Sequence, residues 1–265
     1  MRFLLSNDDG VHAPGLKALY QELKRLGQVT VVAPLEERST AGHALTLHKP
    51  LRMIRVDQDF YGVSGSPADC VYLGLRKVLK SPPVMVISGI NRGANMGQDV
   101  YYSGTVSAAR EACILGLPAL AVSLDVDFQK VSPEAKLHYS TAAKVAVRLI
   151  RELLREGSHL KPPLHTLLNL NVPDVPLSKL KGMQCARQGF RFYSGGILQR
   201  KDHRGKDYYW VGGKYRGHRR ELGSDCDWVA QGYAALTPLK LDSTDYSFLS
   251  SLGEVWPSQA RRSRS

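Results

Sequence analysis

The segment MRFLLSNDDG, residues 1–10, decides the predicted fold. Phe3, Leu4 and Leu5 form a short apolar run that is typical of a buried strand. The run is followed by two adjacent carboxylates, Asp8 and Asp9, and by a glycine that permits a tight turn. Ligands of open α/β sheets bind at the carboxyl ends of the strands, so the aspartate pair is a candidate site for a divalent cation. A polar turn with solvated aspartates is the alternative that this segment alone leaves open.

The elements that follow predict a parallel sheet. Apolar side chains recur at helical spacing from Leu16 to Leu26, and residues 29–33 form a second apolar run. A strand, a helix and a strand in about thirty residues make a right-handed βαβ unit. The remaining predicted elements are a hairpin at 51–56 and 60–63, helices that begin at Ser66, Ser103 and Ser132, core strands at 84–87, 118–124 and 167–172, a strand at 228–236 and a helix at 243–252. The sequence therefore predicts an α/β protein with a mostly parallel sheet flanked by helices.

Three further segments bring polar residues to the same edge of the predicted sheet. Ser39 and Thr40 follow the second strand, and Asn91 and Asn95 lie in the glycine-rich segment after the strand at 84–87. Residues 103–107, all small, lead into a helix whose free N–H groups could bind an anion. Each segment taken alone fits equally well a solvated loop or a tightly packed helix.

Taken together, the four segments predict a metal-dependent phosphohydrolase. Two carboxylates, a hydroxyl and a carboxamide suit one hard cation such as Mg²⁺ or Mn²⁺, and the helix N-terminus beside them suits a phosphate group. Neither a Walker A motif nor a dinucleotide-binding G-x-G-x-x-G motif is present. The aspartates after the first strand are adjacent to each other, which disfavours an aspartyl-phosphate mechanism. His12 and His43 lie in the right loops but are interpreted as surface residues.

Residues 187–220 differ from the rest of the chain in composition. They hold ten Lys and Arg against two Asp, within a chain whose formal net charge is +12. Aromatic side chains interleave with these charges, which predicts an antiparallel hairpin region. Such a surface could bind single-stranded nucleic acid or form a subunit interface that also borders the active site. We favour the interface, because a monomer would expose too many aromatics and has too few aliphatic residues nearby to cover them.

Composition narrows the class of protein. The chain has 265 residues, 43% hydrophobic and 23% charged, which is ordinary for a globular protein. No apolar run reaches the length of a membrane span, so no membrane partner is expected. The four cysteines show no C-x-x-C spacing, and the chain enters a strand at its first residues without a signal peptide. These features predict a cytoplasmic protein with free thiols. The predicted divisions are a core at 1–176, a C-terminal extension with hairpin, strand and helix at 177–256, and a disordered tail at 257–265.

The sequence resembles the SurE family of 5′/3′-nucleotidases. The matching motifs, in the family's order over about the first 125 residues, are SNDDG (6–10) with APG (13–15), the segment from Pro34 to Ser39, GSPAD (65–69), SGINRGAN (88–95) and YSGTVSAARE (102–111). The resemblance implies a Rossmann-like core, one divalent cation per subunit, hydrolysis of nucleoside 5′- and 3′-monophosphates, and a dimer or tetramer that exchanges C-terminal segments. It also implies a metal site at Asp8, Asp9, Ser39 and Asn91.

The resulting hypothesis assigns a role to each residue of the site. The cation activates a water, Asp8 or Asp9 orients or deprotonates that water, and the phosphate oxygens are held by Asn95, Ser103, Gly104 and Thr105. The substrate is a nucleoside monophosphate, and no stable nucleic-acid complex is expected. Two alternatives remain open: a nucleic-acid-binding protein that uses residues 187–220, and a nucleotide-binding or glycosyltransferase-like α/β protein without hydrolysis.

Overall fold

A computed structural model of the chain describes residues 1–38, 42–128, 132 and 135–256. The helices in these residues are α1 (Pro14–Leu23), α2 (Pro67–Leu73), α3 (Gly104–Ile114), α4 (Tyr139–Leu153), α5 (Asp225–Ala230) and α6 (Tyr246–Val255). The strands are β1 (Arg2–Ser6), β2 (Gln28–Pro34), β3 (Met53–Asp57), β4 (Phe60–Val63), β5 (Met85–Arg92), β6 (Ala119–Asp125), β7 (Thr166–Pro173), β8 (Met183–Cys185), β9 (Arg191–Tyr193), β10 (Gly196–Lys201), β11 (Asp207–Gly212), β12 (Tyr215–His218) and β13 (Ala234–Lys240). A π-helical turn, Gly74–Val78, follows α2, and 3₁₀ turns cover Gly97–Tyr101 and Leu177–Lys179.

A nine-stranded sheet in the order β3-β4-β2-β1-β5-β6-β7-β13-β8 forms the core. The strands from β4 to β7 in that order are all parallel, whereas β3 and β13 run antiparallel to their neighbours β4 and β7. The predicted mostly parallel α/β sheet is confirmed. Strand order reverses between β1 and β5, and the crevice at such a switch point is where ligands of open α/β sheets bind.

Helices cover both faces of the sheet because β1 alternates its apolar side chains between them. Phe3 and Leu5 pack on one face with side chains from α1 and α4, and Leu4 packs on the other with side chains from α2 and α3. All three residues are fully buried. The apolar run that predicted the first strand therefore supplies both layers of the core.

Two predicted helix starts are confirmed in detail. The Ser66 hydroxyl accepts a hydrogen bond from the Asp69 amide at 3.1 Å, and the Asp69 carboxylate accepts one from the Ser66 amide at 2.8 Å. This capping box satisfies two N–H groups that helix α2 leaves without an internal partner. At α3 the Ser103 hydroxyl accepts a hydrogen bond from the Val106 amide at 3.0 Å.

Three predicted boundaries are wrong. Strand β5 continues to Arg92 because Asn91 and Arg92 pair with β6 beyond an irregularity, so the glycine-rich segment begins inside the strand. Helix α4 begins at Tyr139 and not at Ser132. The apolar residues at 228–230 belong to α5, because the Ser224 hydroxyl caps that helix and the strand starts only at Ala234.

The C-terminal third is partly built into the core sheet. Strands β13 and β8 extend the sheet beyond β7, so the predicted division at residue 176 does not separate two sheets. Strands β10 and β11 form the predicted antiparallel hairpin, and β12 pairs with β9. The tail at 257–265 lies outside the described residues. Among the helices that the structure describes, none has the length and apolar character needed to cross a membrane.

Candidate active site

Asp8 and Asp9 lie at the carboxyl end of β1, where a tight turn holds them. Gly10 has a positive φ of 100°, a conformation that glycine adopts without strain. The Asn7 side-chain amide donates to the Gly10 carbonyl at 2.9 Å, and the Arg38 amide donates to the Asp8 carbonyl at 2.8 Å. The turn predicted from the sequence is thereby fixed on both sides, with the Asp8 side chain buried.

The two carboxylates form a buried centre of negative charge. Burial raises the pKa of Asp8. Burial, and next the charge of Asp8, raise the pKa of Asp9 to about 7. Such shifts report that the ionised pair lacks sufficient positive charge around it, which a divalent cation would supply. In the described part of the chain no three His, Cys, Asp or Glu side chains converge, so a cation here depends on this pair and on neutral oxygen ligands.

Asn91 lies beside the aspartate pair at the end of β5. The Arg92 amide donates to the Asp9 carboxylate at 3.1 Å, which joins the ends of β1 and β5. The Asn91 side-chain amide donates to the Gly93 carbonyl at 2.9 Å, which leaves its carbonyl oxygen as the group suited to bind a cation.

Ser39, the remaining predicted metal ligand, lies outside the described residues, as does Thr40. The described residues on either side of that gap contact the site. The Arg38 amide bonds the Asp8 carbonyl, and the Gly42 amide donates to the Tyr102 carbonyl at 3.2 Å. Both flanks of the segment that carries Ser39 are therefore attached to the candidate site.

Helix α3 places its N-terminus against Asp8. A Cβ at Gly104 would lie 2.6 Å from the Asp8 Cβ, so only glycine allows this approach. The Thr105 hydroxyl donates a short hydrogen bond to the Asp8 carboxylate, and the Ser103 hydroxyl caps the helix. The predicted phosphate-binding segment thus meets the predicted metal site, with the Thr105 hydroxyl directed to Asp8.

Asn95 is held by a buried polar network that sequence reasoning missed. Its amide N–H donates to the Asn171 side-chain oxygen at 2.8 Å, and its carbonyl accepts from the side chains of Asn169 and Asn171 at 2.8 and 3.0 Å. The Asn95 side-chain amide donates to the Ser123 hydroxyl at 2.8 Å. The signal in the sequence was the alternation Leu-Asn-Leu-Asn in an apolar strand, which places both amides on one face.

A cavity of about 940 Å³ opens at this edge of the sheet. Asp8, Asn91, Asn95 and Ser103 line it, and Asp9, Gly104 and Thr105 lie next to these residues and not in the lining. The opposite side is lined mainly by Phe128, Asp99, Asp125, Arg191, Tyr193, Lys214 and Tyr215. The basic aromatic segment 187–220 therefore borders the candidate site, as predicted.

Two further pairs near the site were not anticipated. Arg191, mostly buried, pairs with Asp99 at 2.7 Å, although the two residues are 92 positions apart. His43 lies 2.8 Å from the buried carboxylate of Glu111 on α3. The interpretation of His43 as a surface residue is therefore wrong, whereas His12 is exposed as predicted.

Comparison with known proteins identifies related sequences and a related fold. The model of the protein family described as "Survival protein SurE" matches residues 3–195. "5′-nucleotidase SurE" of Geobacter sulfurreducens is 47% identical over 262 residues, which cover 99% of this chain and 96% of that protein. The protein of the same name from Moorella thermoacetica is 44% identical, with 99% and 100% covered. The crystal structure of the SurE protein from Aquifex aeolicus superposes with a TM-score of 0.82 at 41% identity, covering 97% of this chain and all of that one.

Proposed function

The chain belongs to the SurE family, and on that premise we propose that it is a metal-dependent 5′-nucleotidase. The reaction is hydrolysis of nucleoside 5′-monophosphates, and also of 3′-monophosphates, to nucleoside and inorganic phosphate. The observation that carries this proposal is the contact between the buried carboxylate Asp8 and the N-terminus of α3 at Gly104. A cation at the carboxylates and a phosphate at the helix N-terminus would then be neighbours.

We assign the cation to Asp8, Asp9 and Asn91, with Ser39 as the fourth ligand. The buried pair carries uncompensated negative charge, and one Mg²⁺ or Mn²⁺ per subunit matches these oxygen ligands. When bound, such a cation polarises a phosphoryl oxygen and lowers the pKa of a coordinated water.

The side chains around the carboxylates orient them for this reaction. The Thr105 hydroxyl fixes one oxygen of Asp8, and the Arg92 amide fixes one oxygen of Asp9. Either carboxylate of the pair can accept the proton of the attacking water. Each is held by a group from another element, so the geometry is set before substrate binds.

The substrate phosphate is held by the N-terminus of α3 and by Asn95. The backbone N–H groups of Gly104 and Thr105 and the positive end of the helix dipole attract the phosphate oxygens. The Asn95 side chain lines the same cavity and is fixed by Ser123. Ser103 contributes as the cap that starts the helix, and its position in the cavity wall leaves it close to the phosphate.

Phosphate release from a panel of nucleotides, with and without a chelator, tests the proposal. We expect release from nucleoside 5′-monophosphates that stops with chelator and returns when Mg²⁺ or Mn²⁺ is added. Nucleotide binding without release would favour a non-hydrolytic protein. Salt-sensitive binding of oligonucleotides that needs no metal would favour a nucleic-acid-binding protein.

The assembly we propose is a homodimer or homotetramer formed through the C-terminal segment. The hairpin of β10 and β11 exposes Ile197, Trp210 and Val211 at 71%, 63% and 87% on a single chain. Helix α6 exposes Phe248 and Leu249 in the same way. Contiguous apolar surface of this kind is typical of protein interfaces. A cytoplasmic location is also proposed, and the four free cysteines fit a reducing compartment.

A further inference from the structure

The half of the cavity that faces away from Asp8 has no role in the phosphate chemistry. At about 940 Å³ the cavity is large enough for a complete small molecule and far exceeds a phosphate group. We propose that Phe128, Tyr193 and Tyr215 form a subsite that binds the nucleobase by stacking. This inference rests on the proposed function, because it names the part of the protein that recognises the nucleoside.

Phe128 presents an exposed aromatic ring at the cavity. The ring is 59% exposed and lines the cavity together with Gly93. A Cβ at Gly93 would lie 3.2 Å from the Phe128 ring, so the ring packs closely on the segment that follows Asn91. The Arg92 guanidinium lies 5.4 Å from the ring centroid. The ring is thus supported from one side and open to a planar ligand.

Tyr193 and Tyr215 supply a second aromatic surface, which Arg191 holds in place. The Arg191 guanidinium lies 4.4 Å from the Tyr215 ring centroid and 5.6 Å from that of Tyr193. The Tyr193 hydroxyl donates a short hydrogen bond to Asp99, which also pairs with Arg191. The rings are therefore ordered before a ligand arrives, which lowers the entropic cost of stacking.

The charges in this half of the cavity favour a nucleobase over a second phosphate group. Arg191 is already paired with Asp99, and the Asp125 carboxylate lines the same wall. Carboxylates repel a further phosphate, whereas they accept hydrogen bonds from the amino groups of a base. Every base has a π-face, so stacking suits an enzyme that acts on several nucleotides.

The test compares a substrate that has a base with one that lacks it. AMP and ribose 5-phosphate are assayed with the wild type, with Phe128→Leu and with Tyr215→Leu. Tyr72→Leu is the matched control, since Tyr72 on α2 is 42% exposed and lies outside the cavity lining. We expect the ratio of KM for AMP to KM for ribose 5-phosphate to rise about fivefold to tenfold in both cavity variants and to stay constant in the control. An unchanged ratio in both variants would overturn the proposal.

Binding of adenosine, which has no phosphate, gives a readout that does not depend on hydrolysis. Calorimetry should show a Kd about fivefold to tenfold higher in the two cavity variants than in the wild type and in Tyr72→Leu. Equal Kd values would also overturn the inference. If pyrophosphate binding is weakened and adenosine binding is not, this half holds a second phosphate and the proposal is wrong. Failure of the proposed function shows separately, as a wild type that releases no phosphate from either substrate.

Discussion

The Asp225 carboxylate accepts a hydrogen bond from the Gly97 amide at 3.0 Å, across 128 positions of sequence. Its other oxygen accepts from the Gly189 amide at 2.9 Å and from the Cys226 amide at 2.8 Å. Asp225 is fully buried. One carboxylate thus joins the segment that follows Asn95 to the segment that leads into β9. The two walls of the cavity are held together at this residue.

Replacing Asp225 with Asn should loosen that connection. The Asn side chain keeps one acceptor oxygen and turns an NH₂ group toward an amide N–H, so a buried donor loses its partner. We expect a loss of about 2 kcal/mol in the free energy of unfolding. Thermal denaturation should show a fall in Tm of about 4 to 8 °C. Asp207→Asn in the exposed hairpin is the control, and an equal Tm in both variants would contradict this role.

The variants Asp8→Asn and Asp9→Asn should each lower phosphate release severely while the fold stays intact. Each removes a negative ligand from a site whose other ligands are neutral. Because burial makes the ionised carboxylates costly in the empty site, neither variant should melt below the wild type in the presence of chelator. Calorimetry with Mn²⁺, an activity assay and circular dichroism measure the three effects. Normal metal affinity and turnover in both variants would refute the metal assignment.

Asn91→Ala should weaken metal binding without removing the charge of the site. Activity at low Mn²⁺ should fall, and a higher Mn²⁺ concentration should partly restore it. A titration of activity against Mn²⁺ concentration measures this shift. If excess metal restores nothing, then Asn91 acts on the substrate or on the segment that follows it.

Gly104→Ala should damage the site more than the helix. Alanine favours helix over glycine by about 1 kcal/mol, but here its Cβ would meet the Asp8 side chain. We expect Asp8 to be displaced, with loss of activity and of metal affinity. Gly253→Ala in α6 is the matched control, because a Cβ there meets nothing within 4 Å. Similar activity in the two variants would show that the contact with Asp8 is not needed.

Trimming Ile197–Gly213 to a short turn should lower the oligomeric state and impair turnover. This range carries the hairpin of β10 and β11, whose apolar side chains are exposed on a single chain. Metal binding at Asp8 and Asp9 should persist, since those residues lie on β1. Light scattering, phosphate release and calorimetry give the three readouts. A fully active protein of unchanged subunit number would return the hairpin to the nucleic-acid hypothesis.

The parts of the fold that neighbouring residues determine could be predicted from the sequence. The apolar run at Phe3–Leu5, the turn after Asp9 and the caps at Ser66 and Ser103 all depend on residues within a few positions. Strand-end logic also brought Asp8, Asn91 and Ser103 to one cavity, because parallel strands end at the same edge.

The remaining features depend on contacts between distant residues. Asn171 fixes Asn95 only because β7 lies beside β6, and no local pattern states that pairing. The pairing of Arg191 with Asp99 spans two segments of different texture. At 228–230 the apolar residues fit strand and helix equally well, and the cap at Ser224 decides for the helix.

The place of β13 in the sheet has a consequence for how the chain is made. Leu168 pairs with Pro238, seventy residues later in the sequence. At the usual rate of translation, the β7 edge that β13 covers waits roughly 4 to 14 s for its partner to be synthesised. During that time an apolar strand presents open backbone groups to other nascent chains. The growing polypeptide therefore needs protection by chaperones until its last third has left the ribosome, and a gene shortened before residue 234 should yield inclusion bodies.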